Sequence, residues 1–203
     1  MLYKNTNVVN VDTVAVANNK RFVETFRTRL VTALVLACIA LAALEFGGLI
    51  FGLFSFILTS ILSFEWIRMT CKRQYTLTLI ASILNVAIAY LILAVYGMEF
   101  ALCIGAGGTL FIALIANKEN HNIIWVSVGI FIFIVTMISI NWIRNYSQNG
   151  LQTLYWLFSV VWAADIGAYI FGNLFKGPLL APKISPAKTW SGTISGIICG
   201  SCI

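Results

Sequence analysis

Charge is scarce in this chain: of 203 residues only 10% are Asp, Glu, Lys or Arg, against 60% hydrophobic ones, and the mean hydropathy is +0.93. So little polar surface cannot cover a water-soluble domain of this length, so the solvent for most of the chain is lipid. Histidine is nearly missing. His121 stands alone in the polar stretch 117–122, with no second histidine for a metal pair or a relay, and is expected to be a solvated loop residue. The five cysteines are odd in number and fall mostly inside apolar runs, where a thiol behaves as a small hydrophobe, so neither a disulfide framework nor a zinc site is expected. A signal peptide is disfavoured because the polar leader 1–29 is long and the apolar run after it continues far past any cleavage site. Proline is confined to positions 178, 182 and 186.

Six apolar segments remain, at 30–44, 47–64, 77–96, 98–116, 123–140 and 151–172, with a seventh beginning near Trp190. Most approach the roughly 20 residues that cross ~30 Å of hydrocarbon, and the first is short. Glu45-Phe46-Gly47-Gly48 suits a tight turn between two spans, the alternative being one long kinked segment. The basic residues offer a separate test. With the N-terminus inside, twelve of the thirteen Lys and Arg fall on the inner side and only Arg144 falls outside, which supports six spans with a cytoplasmic N-terminus and argues against a nucleic-acid surface. Trp66, Trp125, Trp142, Trp156 and Trp190 fall near segment ends, as interfacial anchors should. The thirteen residues after Trp190 are too few to span, so the sequence is expected to be cut inside a membrane segment.

Most polar features have structural readings. Gly105-Ala-Gly107-Gly108 lies inside an apolar span without the strand-turn-helix context of a nucleotide loop, and Gly192, Gly196 and Gly200 recur on one helical face; both patterns read as close helix packing. Glu45, Glu65, Glu99 and Glu119 fall at span ends, where a carboxylate reaches water. Asp165 differs. It lies well inside the 151–172 segment, where an acid costs about 2.5–3.5 kcal/mol, and Ala168, Tyr169 and Gly172 share its face. The competing reading is an acid that pairs with another helix or snorkels to the cytoplasmic side.

Directly after this segment the stretch from Lys176 to Thr189 holds three lysines, no acid and all three prolines, and it runs into the next helix. The prolines stiffen it. Lysine charge, the hydroxyls of Ser185, Thr189 and Ser191 and the free N–H groups of a helix start make a phosphate site. A carboxylate beside a phosphate site calls for a divalent cation between them.

The order Asp165-Ile-Gly167-Ala168-Tyr169-Ile-Phe-Gly172, then Leu180-Ala-Pro182-Lys183-Ile184-Ser185-Pro186-Ala-Lys188-Thr189-Trp190-Ser-Gly192, resembles the phosphatidate cytidylyltransferase (CDP-diacylglycerol synthase) family. Arg27-Thr-Arg29-Leu-Val-Thr-Ala33 and Phe64-Glu65-Trp66 resemble its N-terminal region, so the likeness runs from about residue 25 onward. It implies a membrane enzyme that makes CDP-diacylglycerol and pyrophosphate from CTP and phosphatidate with Mg²⁺. It implies further that Asp165, Lys183 and Lys188 are catalytic, with Asp165 holding the metal, and that Tyr169, Gly172, Asn173, Ser185, Thr189 and Gly192 bind substrate. Two departures stand out. The family has Trp-Glu-Gly where this chain has Trp190-Ser191-Gly192, and its C-terminal Lys-Asp and Asp-Arg-x-Asp elements would lie beyond residue 203.

The expectation is therefore an all-α polytopic membrane bundle of six spans plus an incomplete seventh. Residues 1–29 form a cytoplasmic basic segment and 30–203 a C-terminally truncated cytidylyltransferase-like domain. Its partners are CTP, phosphatidate and membrane lipids, with no nucleic acid, and a homo-oligomer is left open. A bacterial-type inner membrane with the site on the cytoplasmic side is the expected location. The rival readings are an inactive truncated remnant of the family and a small membrane transporter using Asp165 as an ion relay; the transporter would require polar residues facing Asp165 from other spans.

Overall fold

The computed structural model describes residues 31–71, 75–175, 177–183 and 185–203. These form seven helices and a hairpin: α1 (Val31–Phe46), α2 (Gly48–Thr70), α3 (Thr76–Tyr96), α4 (Met98–Lys118), α5 (Ile123–Tyr146), α6 (Gly150–Phe175), β1 (Leu179–Ala181), β2 (Ser185–Thr189) and α7 (Trp190–Ser201). The chain divides into two units after Glu45. The expected basic segment 1–29, together with Lys72, Arg73 and Lys176 of the charge argument, lies outside the described residues.

Helices α2 to α6 are 21–26 residues long, about 32–39 Å, so these five are long and apolar enough to cross a bilayer and make the chain a multi-pass membrane protein. α1 is a shorter apolar helix, at ~24 Å. The observed helices outrun the apolar segments by up to six residues, as α2 does from Phe64 to Thr70, because backbone hydrogen bonding continues past the hydrocarbon edge where hydropathy stops reporting it. The expected break at residues 45–48 is present. Gly47 (φ 61°) separates α1 from α2, and its missing Cβ leaves room for Arg144, whose Nη2 would lie 2.6 Å from one. A single residue, Gly97 (φ 89°), joins α3 to α4 in a conformation that side-chain-bearing residues rarely adopt.

Within the second unit α2, α3, α4 and α5 pack as successive neighbours, and α5 also meets α2. Their contacts follow from lipid as solvent: apolar side chains gain nothing by leaving it, so small and polar residues turn inward. Ser55, Thr59 and Ser63 of α2 are buried, while Leu53, Ile57 and Ile61 of the same helix are exposed. The buried hydroxyls satisfy themselves on their own helix, Ser63 Oγ donating to Thr59 O at 2.7 Å and Ser82 Oγ to Thr78 O at 2.7 Å. Two asparagines bond across helices. Asn141 Nδ2 donates to Ser55 Oγ at 2.7 Å, and Asn85 Nδ2 to Gly105 O at 3.2 Å. Close packing at Gly105 and Gly108 agrees with the sequence reading, with Ile134 and Ala89 beside the first and Asn85 against the second.

Two sequence expectations are overturned. His121 is not solvated: its side chain is 2% exposed, with Nε2 3.5 Å from Glu119 Oε2. Glu119 does not simply face water, since Thr78 Oγ1 donates to its Oε2 at 2.5 Å. Trp66, near the end of α2, packs against α5. Its indole fills the notch left by Gly129, donates Nε1–H to Trp125 O at 2.8 Å and meets Phe133 edge-on at 5.9 Å, an α2–α5 contact that linear position cannot reveal.

Candidate active site

Asp165 lies on α6 ten residues before its end at Phe175, inside the longest helix. The chain then reverses. The stretch expected to be a stiff loop is an antiparallel hairpin, with Leu179 opposite Thr189 and Ala181 opposite Ser185. A two-stranded ribbon is all edge, so it accommodates Pro186 in β2. The ribbon is fastened to the first turn of α7. Trp190 N donates to Pro178 O at 3.0 Å, and Gly177 N donates to Ser191 Oγ at 3.3 Å. Thr189 is the N-cap, its Oγ1 accepting from Gly192 N at 3.2 Å and lying 3.1 Å from Ser191 Oγ. Two of the first three amides of α7 are therefore engaged within the protein.

α7 lies along α6 on a seam of small residues. A Cβ on Gly192 would stand 2.8 Å from Ala168 O, one on Gly196 2.9 Å from Ala164 O, and one on Gly200 3.3 Å from Ala164 Cβ. The packing read from these three glycines is thus observed. Gly172 meets Gly192 at the same seam, and Gly167 leaves room for Cys199. Cys199 and Cys202 stand at Cys-x-x-Cys spacing near the end of α7, a pairing that the view of isolated thiols overlooks; both are free.

The seam opens into a cavity of about 520 Å³. Seven of the nine residues singled out from sequence line it: Asp165, Tyr169, Gly172, Asn173, Lys188, Thr189 and Gly192. Lys183 and Ser185 do not. Lys183 stands exposed at the hairpin turn and Ser185 opens β2. Ala164, Ala168, Thr193, Gly196 and Ile197 complete the lining, and helical spacing of four from Thr189 points to Thr193 and Ile197. Asp165 and Lys188 are both exposed, and no ion pair joins them among the described residues. The cavity thus offers a carboxylate from α6 and an ammonium and hydroxyls from the hairpin and α7. Outside α6, α7 and the hairpin, no described polar side chain reaches it; Asn85 is spent on Gly105 between α3 and α4.

Residues 27–203 match the Cytidylyltransferase family. The chain belongs to that family. It is 32% identical over 171 residues to the phosphatidate cytidylyltransferase of Brucella suis, covering 84% of this chain and 63% of that protein. The phosphatidate cytidylyltransferase of Staphylococcus saprophyticus is 29% identical over 177 residues, 85% of this chain and 68% of its own length. That of Haemophilus influenzae is 52% identical over 50 residues, a quarter of this chain. The chain therefore spans a little under two thirds of the Brucella relative. No solved structure matches it. Against the family's Trp-Glu-Gly, Ser191 has its own structural task here: its hydroxyl holds the amide of Gly177 and so anchors the hairpin's entry to α7.

Among the described residues no three His, Cys, Asp or Glu converge as a metal cage, and Asp165 is the one carboxylate on the cavity wall. Mg²⁺ needs no such cage. It keeps several waters and is held through one or two carboxylates together with substrate phosphates, so this donor set fits a cation that arrives with a nucleotide.

Proposed function

We propose that the α6–α7 cavity transfers CMP from CTP to phosphatidate, giving CDP-diacylglycerol and pyrophosphate, at the cytoplasmic side of a bacterial-type inner membrane. The observation that carries this reading is the convergence of Asp165 with Lys188 and Thr189 in one cavity within the membrane-spanning part of a cytidylyltransferase-family chain. A lipid phosphate and a water-soluble triphosphate must meet at the membrane, and a cavity between a spanning helix and a charged hairpin is open to both.

In this reading phosphatidate's phosphate attacks the α-phosphorus of CTP and pyrophosphate leaves. Asp165 would hold the Mg²⁺ that accompanies the nucleotide, a cation that would supply charge neutralisation for the phosphates. Lys188 offsets the negative charge that develops on the phosphoryl oxygens. Lys183, at the hairpin tip, meets the part of the triphosphate that extends out of the cavity. The Thr189 hydroxyl both caps α7 and faces the ligand, while Asn173 and Tyr169 orient it from α6. Gly172 and Gly192 let the two backbones approach closely enough to bring these groups together. The reading is tested by CTP-dependent formation of CDP-diacylglycerol by the purified chain, with Asp165→Asn, Lys188→Ala and Lys183→Ala alongside. Removing a single preorganised charge-stabilising group costs roughly 100-fold in turnover or more, and retained turnover in all three variants refutes the assignment.

A further inference from the structure

A second concavity of about 520 Å³ lies between α3 and α4. α3 supplies Leu77, Ile80, Leu84 and Ile88, spaced three, four and four residues apart along one face, and α4 supplies Phe111 and Ile115. From Leu77 to Ile88 is ~16 Å of helix, about half of the hydrocarbon core and so the depth of one leaflet. The α3 residues and Phe111 are exposed, so the groove opens outward to lipid. Its floor is set by Asn85, which is 5% exposed and seated against Gly108, where any Cβ would collide with the asparagine amide.

One end of the groove is charged. Lys118, the last residue of α4, lines it and is exposed, with no ion-pair partner among the described residues. The neighbouring Glu119 also lines it, but its carboxylate already accepts from Thr78 Oγ1 at 2.5 Å and lies 3.5 Å from His121 Nε2. Held on these two partners, the Glu119 side chain is only 16% exposed, so the charge presented to a ligand at this end is the exposed Lys118 ammonium. We propose that the groove holds one acyl chain of an anionic glycerophospholipid of the surrounding bilayer, with the lipid phosphate on Lys118. A soluble anion would gain the ammonium and leave the apolar wall unused, and a zwitterionic lipid would bring its own cation to the same spot. The site is separate from the α6–α7 cavity and does not depend on the reaction proposed there.

The test is photo-labelling of the purified chain in phosphatidylcholine vesicles doped with phosphatidylglycerol carrying a diazirine on one acyl chain, or with phosphatidylcholine carrying the same group. Adducts are mapped by mass spectrometry. One lysine near the membrane surface favours an anionic lipid about fivefold, so phosphatidylglycerol adducts on residues 77–88 and 108–118 should exceed phosphatidylcholine adducts by about that factor. The excess should vanish in Lys118→Gln, survive in Lys118→Arg and resist millimolar inorganic phosphate. Equal labelling by the two lipids, or an excess that persists in Lys118→Gln, would mark ordinary boundary lipid and overturn the proposal; competition by phosphate would mark a soluble-anion site and overturn it too.

Discussion

Thr189 does three things at once: it ends β2, caps α7 through Gly192 N and lines the cavity. Replacing it with valine removes the cap while keeping shape, and an N-cap is worth about 0.5–2 kcal/mol, so Thr189→Val should lower the thermal midpoint where Thr189→Ser does not. A second residue-scale prediction concerns Cys71, just past α2. Burial pushes its thiol above the ordinary range, with Glu119 adding to the rise and a hydrogen bond from Thr70 opposing it. The raised value favours the neutral thiol in the fold. The resulting stability is complete below the ordinary thiol range and is lost as pH rises through the folded value. In the folded protein maleimide should therefore label Cys71 more slowly than in detergent-denatured chain, with a rate profile displaced to higher pH. Coincident profiles would contradict this. Asp165 was legible from sequence because an acid inside an apolar helix has few harmless explanations. His121 was not, because its burial depends on Glu119 and the turn that brings the two together.

At the scale of elements, the apolar runs revealed the helices and missed the hairpin. Strands of three and five residues carry too little periodicity to read, and what pins β1 and β2 is bonding to α7, between residues 12 to 14 positions apart. The α6–α7 seam was legible as a glycine repeat, although its partner face on α6 was not. A Cβ at Gly192 meets a backbone oxygen, which cannot swing aside, so Gly192→Val should part α6 from α7 and abolish nucleotide binding while leaving the α2–α5 bundle folded. Tryptophan fluorescence of the bundle and CTP binding by calorimetry separate these outcomes. Gly129→Val should do the converse, displacing Trp66 from its notch and lowering the stability of the bundle by about 1–3 kcal/mol, as overpacking does. An unchanged melting profile would show that the α2–α5 contact is softer than described.

Across the whole molecule, lipid as solvent explains why hydroxyls and glycines lie inside and large aliphatic side chains outside, and why the polar chemistry gathers at a helix seam beside a basic hairpin. Composition revealed the solvent, and the double motif revealed the family. What sequence could not show is that Lys183 and Ser185 stand off from the cavity, since a reversal at the hairpin turn decides which residues of the hairpin face α6. The most direct test of the central claim is Mg²⁺- and CTP-dependent conversion of phosphatidate to CDP-diacylglycerol by the purified chain in mixed micelles, with Asp165→Asn measured in parallel. The account predicts product from the unaltered chain and a loss of about 100-fold or more in the variant. Undiminished turnover by Asp165→Asn, or no product from the unaltered chain, would contradict it.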